Sequence, residues 1–94
     1  MRLMTRPRYP LATLPTPLQR ARNLEATLSP RCPRIYIKRD DLTGLAFGGN
    51  KARKLEYLLA DALANDATVL VTEGAAQSNH ARMTAAAAAI ARLG

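Results

Sequence analysis

The chain has 94 residues, enough for one small domain that buries only about 60–65% of the surface exposed by the unfolded chain. Its net charge is +7, but the arginines are scattered from Arg2 to Arg92 and there is one Phe and no Trp for base stacking, so we expect no nucleic-acid partner. The apolar stretch from Ala85 to Ile90 is too short to cross a membrane, and we expect no membrane partner and a cytoplasmic location.

The first predicted element is a short strand. Residues 34–39 alternate in polarity and are rich in β-branched and aromatic side chains, a pattern typical of a strand. The loop that follows, 42–49, is apolar for a loop, and we expect it to pack against the rest of the protein. Its last two residues, Gly48 and Gly49, allow two interpretations: the backbone approaches a ligand closely, or it makes an ordinary turn into a helix.

A phosphate-binding loop is the other pattern to weigh in this segment. Gly44 and Gly49 bracket four residues and a lysine follows, as in nucleotide-binding loops. The match fails because Asn50 separates the second glycine from Lys51, and because Ala52 stands where a hydroxyl is needed to hold magnesium. We therefore expect neither nucleotide hydrolysis nor a metal site.

An amphipathic helix is predicted to begin at Lys51, with Asn50 as its N-cap. The helix is indicated by one stripe of leucines, which are predicted to be buried: Leu55, Leu58, Leu59 and Leu63. Lys51 then lies at the positive end of the helix dipole, and Lys54 adds a second cation one turn later. Either both lysines simply reach into water, or Lys51 is a functional amine that forms a Schiff base with a carbonyl group.

A second strand and a second helix complete the pattern. The continuous run of small and β-branched residues at 67–72 predicts a strand buried on both faces. The alanine-rich stretch 81–93 predicts a helix, with Ser78 as its N-cap and Gly94 near its C-cap. A helix that starts after a buried strand lies where open α/β sheets bind ligands, and its free N–H groups suit a carboxylate. A purely structural capping role for Ser78 is the alternative.

Four segments together resemble the 1-aminocyclopropane-1-carboxylate (ACC) deaminase and D-cysteine desulfhydrase family of pyridoxal-phosphate (PLP) enzymes, which have fold type II, the tryptophan synthase β-like fold. The segments are LPTPL at 14–18, IYIKRDDL at 35–42, GGNKARKLE at 48–56 and QSNH at 77–80. The resemblance implies an α/β, two-domain architecture with an open, mostly parallel sheet and flanking helices. It also implies PLP as the cofactor, a small amino-acid substrate and a homodimeric parent enzyme.

The resemblance assigns roles to individual residues. Lys51 is implied to bind PLP covalently and to act as a catalytic base or acid, and Ser78 to take part in proton transfer. Asn79 is implied to bind the ring hydroxyl oxygen of the cofactor, and Lys54 to lie near its phosphate. Ser78, Asn79 and His80 are implied to bind the substrate, with no metal ion at the site.

His80 favours one branch of the family. A histidine after Ser78 and Asn79 is more similar to the D-cysteine desulfhydrases, which convert D-cysteine to pyruvate, hydrogen sulfide and ammonia. The alternative is ACC deaminase, which gives 2-oxobutanoate and ammonia and tends to carry glutamine there. Because family members are much longer, we expect residues 1–94 to be the N-terminal part of such an enzyme, inactive alone, or an inert truncated gene product.

Overall fold

A computed structural model of the chain describes residues 3–94. It has two short strands, β1 (Leu18–Arg20) and β2 (Tyr36–Lys38), and three α-helices, α1 (Arg22–Thr27), α2 (Lys51–Ala64) and α3 (Asn79–Ile90). Short 3₁₀ turns occupy Leu3–Thr5, Asp40–Leu42 and Leu45–Phe47. No helix among the described residues is both long and apolar enough to span a membrane.

The two strands pair antiparallel, with Leu18 opposite Lys38 and Arg20 opposite Tyr36. Strand β2 confirms the centre of the strand predicted over 34–39, although it is shorter. Within residues 3–94 this pair is the whole sheet, so the parallel strands implied by the resemblance are not formed here. The carboxylate of Glu25 in α1 braces the pair, because it accepts hydrogen bonds from Arg20 and from the Ile35 N–H.

Helix α2 begins at Lys51 as predicted, but its buried face is shifted from the leucine stripe. Leu55 and Leu59 are buried as predicted, together with Ala52 and Glu56. Leu58 is 54% exposed, so its predicted burial is wrong. The buried arc runs from Leu55 across Ala52 to Glu56, which puts Leu58 outside its edge.

The predicted side-chain cap of α2 is also wrong. Asn50 has helical dihedral angles, φ −68° and ψ −20°, and its side chain makes no capping hydrogen bond. A capping side chain reaches the first-turn N–H groups from an extended residue, and Asn50 has already turned into the helix. The first turn of α2 therefore has no side-chain oxygen from its N-cap residue bound to its N–H groups.

Helix α3 has the predicted N-cap. Ser78 is extended, with φ −62° and ψ 120°, and its Oγ accepts a hydrogen bond from the Ala81 N–H at 3.2 Å. The helix itself begins at Asn79, directly after this N-cap. Asn79 and His80 therefore lie in its first turn.

The C-terminal end of α3 differs from the prediction that placed Gly94 near the C-cap. The helix ends at Ile90, and Arg92 takes the left-handed conformation with φ +58°. The Leu93 N–H donates to the Ala88 carbonyl at 2.9 Å, which is the hydrogen bond of a Schellman motif. A non-glycine residue, Arg92, thus takes the left-handed position that ends the helix, two residues before Gly94.

The predicted strand at 67–72 is wrong for this structure. The segment forms no strand, and Val71 is 92% exposed. Its backbone bonds instead with Gly94, whose N–H donates to the Thr68 carbonyl at 3.0 Å and whose carbonyl accepts from the Leu70 N–H at 2.8 Å. A buried strand needs a strand beside it, and no strand lies beside 67–72 among residues 3–94.

The core lies between α2, α3 and the loop before α2. Its buried members are Leu45, Ala52, Leu55 and Met83, and half-buried side chains from the N-terminal segment pack against them. The prediction that the loop 42–49 packs against the protein is confirmed for Leu45. Phe47, two residues on, is 96% exposed with φ +71°. The loop therefore buries one side and presents an aromatic ring on the other.

Gly48 approaches the protein's own backbone. It has φ +83°, and a Cβ atom added there would lie 1.9 Å from the Asp41 carbonyl oxygen. Gly44 has nearly the same φ, +85°, but its added Cβ would lie 3.3 Å from Thr13 Oγ1. The turn into α2 is therefore tight at Gly48 because the chain folds back on Asp41.

Alanine substitutions at these two glycines should separate backbone strain from crowding. Gly44→Ala should lower the free energy of unfolding by about 1–2 kcal/mol, the cost of a left-handed alanine. Gly48→Ala should cost clearly more, since the Asp41 carbonyl must also move. Urea unfolding followed by circular dichroism measures both. Equal losses in the two variants would contradict the close approach.

Candidate active site

The starts of α2 and α3 lie side by side. Met83, one turn into α3, is fully buried in the core with Ala52, the second residue of α2. A Cβ atom added at Gly49 would lie 2.9 Å from the Met83 sulfur, so α3 also packs on the glycine turn before Lys51. The first turns of the two helices therefore form one corner, which we call the helix-start corner and define by Lys51, Lys54, Asn79, His80 and Arg82.

Thr43 fixes the backbone that leads into this corner. Its side chain is completely buried. The hydroxyl donates to the Gly49 carbonyl at 2.8 Å and accepts from the Gly49 N–H at 2.9 Å. Both polar groups of one glycine, two residues before Lys51, are thus held by a single side chain. This double hydrogen bond determines where α2 begins.

Arg82 joins the two helix starts. Its guanidinium donates from Nη1 to Asn79 Oδ1 at 2.9 Å and from Nη2 to the Gly48 carbonyl at 3.1 Å. One side chain therefore touches both the first residue of α3 and the loop that precedes Lys51.

One ring nitrogen of His80 makes no hydrogen bond to the described residues. Its Nδ1 is buried and has no hydrogen-bond partner among the described residues. Desolvation lowers the pKa of the imidazole below its usual 6.5, and the positive charges of Lys54 and Lys51 lower it further. These effects favour the neutral imidazole. His80 also lines a cavity of about 140 Å³ together with leucines of α2 and residues 70–72.

Positive charge accumulates in the corner without compensation. Neither α2 nor α3 has an acidic residue in its first turn. Four ion pairs are formed within residues 3–94, and they involve none of the corner's cations: Arg8–Glu56, Arg20–Glu25, Arg39–Asp41 and Arg53–Asp40. Two helix N-termini add their partial positive charge. This arrangement is suited to binding an anion.

Two acidic residues outside the corner, Asp40 before α2 and Glu56 on α2, make structural contacts. Asp40 accepts two hydrogen bonds from Arg53 and one from Thr16, and these bonds lower the pKa of its carboxyl group to about 2. Glu56 is buried and accepts from the Leu11 and Ala12 N–H groups at 2.8 and 3.0 Å. These contacts tie the N-terminal segment to α2 and leave the corner's cations unpaired.

The structure places most of the predicted site residues close together. Lys51, Lys54, Asn79 and His80 lie in the corner, and Ser78 precedes it with its Oγ engaged in capping. Thr43 and Arg82 were not predicted. Arg82 could have been found, since it lies three residues after Asn79 on a predicted helix, a spacing that lets side chains meet. Nothing local in the sequence indicates that Thr43 bonds to Gly49.

Two lysines, an arginine and a histidine whose pKa is lowered lie at adjacent helix starts, an arrangement suited to binding an anion. The chain belongs to the family of pyridoxal-phosphate dependent enzymes, because the model of that family matches residues 10–94. The match covers the corner and nearly all of its supporting residues. The predicted family is thereby confirmed.

Relatives of both predicted activities are similar to the chain. It is 53% identical over 90 residues to a 1-aminocyclopropane-1-carboxylate deaminase of Burkholderia ambifaria, covering 95% of this chain and 26% of that protein. It is 55% identical over 83 residues to a D-cysteine desulfhydrase of Salmonella paratyphi B, covering 88% and 24%. The chain thus spans about a quarter of the length of these relatives, which confirms that it matches only a portion of such enzymes.

A solved structure supports the fold. The crystal structure of an ACC deaminase homologue superposes with a TM-score of 0.87 at 49% identity, over 97% of this chain and 27% of that one. The predicted fold class, a portion of a fold type II PLP enzyme, is confirmed.

The residues of the corner fit PLP. The cofactor carries a phosphate, a ring hydroxyl and an aldehyde, and the corner offers cations, an amide and a lysine amine. The buried, unpaired Nδ1 of His80 is a further polar atom without a partner among the described residues.

The electrostatic link between α2 and α3 can be tested at His80. Lys54→Gln should raise the pKa of His80, because the Lys54 charge helps to lower it. Lys38→Gln, which removes a charge from β2, should leave that pKa unchanged. Titration of the His80 ring signals by NMR measures both. Since the folded state takes up the proton less readily than the unfolded one, stability should fall as the pH drops below 6.5.

A His80 pKa that does not respond to Lys54→Gln would contradict the proximity of the two helix starts. The unfolded chain supplies the reference value in the same titration.

Proposed function

We propose that the chain forms part of a PLP-dependent enzyme that acts on a small amino acid, with Lys51 as the residue that binds the cofactor. The observation that carries the proposal is the helix-start corner, where an amine meets cations that have no acidic partner. When bound, PLP supplies an aldehyde for the lysine amine and a ring that withdraws electrons from the substrate. The chain supplies position, charge and proton-transfer groups.

Each proposed role matches what the side chain can do. Lys54 neutralises phosphate charge, helped by the free N–H groups of the helix starts. Asn79 hydrogen-bonds the ring hydroxyl oxygen of the cofactor. The Ser78 Oγ accepts from Ala81, and its hydroxyl hydrogen stays free to donate to the substrate carboxylate. The Nζ of Lys51, once released from the cofactor, accepts or returns a proton as general base or acid.

D-cysteine is the substrate that we favour, with pyruvate, hydrogen sulfide and ammonia as products. Identities of 53% and 55% to the two kinds of relative do not decide between them. His80 favours D-cysteine by resemblance, because the ACC deaminases tend to carry glutamine at this position. The second candidate is ACC deaminase activity, with 2-oxobutanoate and ammonia as products.

The wider properties of the protein follow from this assignment. We infer a cytoplasmic enzyme that is a homodimer when complete, with a small amino acid and no nucleic acid as its partner. The 94 residues alone are expected to be inactive, because the chain spans only about a quarter of its relatives. The first turn of α3 would bind substrate through Ser78, Asn79 and His80.

Selective labelling of Lys51 tests the proposed cofactor site. The purified chain is mixed with PLP, reduced with borohydride and mapped by peptide mass spectrometry. Label is expected on Lys51, because its amine lies among cations that attract the phosphate. Lys51→Ala should abolish the label without moving it to Lys38. Label shared equally among Lys38, Lys51 and Lys54, or no label, would overturn the proposal and leave an inert chain.

The choice of substrate can be tested in a chimaera in which this chain replaces the matched quarter of the Salmonella D-cysteine desulfhydrase. The chimaera should release sulfide from D-cysteine in preference to ammonia from ACC. His80→Gln should shift the ratio of the two kcat/KM values toward ACC by about tenfold, the worth of one hydrogen bond to a buried group. An unchanged ratio would contradict a discriminating role for His80.

A further inference from the structure

We propose that Arg82 is a positioning residue that orients the side-chain amide of Asn79 toward the cofactor. This inference rests on the proposed function, because it concerns how Asn79 binds the ring hydroxyl oxygen of PLP. Arg82 lies in the helix-start corner, but no binding or catalytic role has been assigned to it above. Its two hydrogen bonds, one to Asn79 and one to the Gly48 carbonyl, are the observations that carry it.

The hydrogen bond from Arg82 fixes the direction of the Asn79 side-chain amide. An amide has one acceptor oxygen and one donor nitrogen, which are hard to tell apart by shape alone. A guanidinium carries only donors, so the atom that faces Arg82 Nη1 at 2.9 Å must be Oδ1. The Nδ2 of Asn79, with two N–H donors, is thereby directed away from Arg82.

This direction of the Asn79 amide favours binding of the cofactor's ring oxygen. The ring oxygen of PLP is an acceptor when it is ionised, so Asn79 must present Nδ2 to it and not Oδ1. A freely rotating amide would present the repelling oxygen part of the time. By engaging Oδ1, Arg82 leaves the donor end available and reduces the entropy lost when the cofactor binds.

Arg82 also links Asn79 to the backbone that leads to Lys51. The Nη2 of Arg82 donates to the Gly48 carbonyl at 3.1 Å, three residues before the lysine. The same rigid, planar group therefore sets the position of Asn79 relative to the backbone that carries Lys51. A lysine has a single ammonium group and cannot reproduce this forked geometry. Arg82 forms no ion pair among the described residues that would account for its charge in another way.

The test compares Arg82→Met and Arg82→Lys with Asn79→Ala, and uses Arg34→Met as the control for loss of an exposed arginine. The first readout needs no cofactor. In ¹H–¹⁵N NMR spectra of the chain, the Asn79 side-chain NH₂ signals should shift in Arg82→Met and stay in place in Arg34→Met. Arg82→Lys should resemble Arg82→Met more than the unchanged chain.

The second readout is the visible spectrum after PLP is added. Removing a donor from an ionised ring oxygen favours its protonation, so the pH midpoint of the absorbance change should rise in both Asn79→Ala and Arg82→Met. PLP affinity should fall about two- to tenfold in Arg82→Met, the effect of one hydrogen bond. Labelling of Lys51 should persist in that variant, since the amine itself is untouched.

Two results would overturn this inference, and both differ from a failure of the proposed function. The first is an unchanged Asn79 NH₂ signal in Arg82→Met, which would mean that Arg82 does not hold the amide. The second is a pH midpoint that moves in Asn79→Ala but not in Arg82→Met. A chain in which Lys51 is never labelled would contradict the proposed function, while the NMR comparison would still decide whether Arg82 holds Asn79.

Discussion

The double hydrogen bond between Thr43 and Gly49 is the constraint on which the rest of the site depends. A buried hydroxyl satisfies both the N–H and the carbonyl of a glycine whose φ is +144°. Met83 packs against the same glycine from α3. The backbone entering Lys51 is therefore held from two sides, by a polar bond and by core packing. Loss of either contact would loosen the backbone that leads into Lys51.

The distribution of charge gives the corner its chemical character. Elsewhere in residues 3–94, several carboxylates are matched to arginines or to backbone N–H groups, as Asp40 is to Arg53 and Glu56 is to the N-terminal segment. In the corner, two lysines and an arginine lie at helix ends where cations are unfavourable. This placement costs stability in the free chain. A bound phosphate and carboxylate would convert that cost into affinity, which is the physical basis for the proposed cofactor site.

Local patterns in the sequence predicted several features that depend on neighbouring residues, although the predicted Asn50 cap is wrong. The start of α2 and the Ser78 cap are of this kind, because a leucine repeat and a capping hydroxyl act within one or two turns. Features that depend on distant residues were missed or wrong. The segment 67–72 has strand-forming residues but no strand beside it among residues 3–94, and Leu58 lies outside the buried arc of α2, which runs from Leu55 to Glu56. Thr43 acts across a loop, where no periodicity indicates its partner.

The most direct test of the central claim is a comparison of Thr43→Ser and Thr43→Val by PLP labelling and peptide mapping. Serine keeps the hydroxyl that holds Gly49, whereas valine keeps the volume and loses both hydrogen bonds. Circular dichroism would first establish that both variants retain their helices. We predict that the label is confined to Lys51 in Thr43→Ser and spreads to Lys38 and Lys54 in Thr43→Val. Label confined to Lys51 in both variants would show that Thr43 does not control the site.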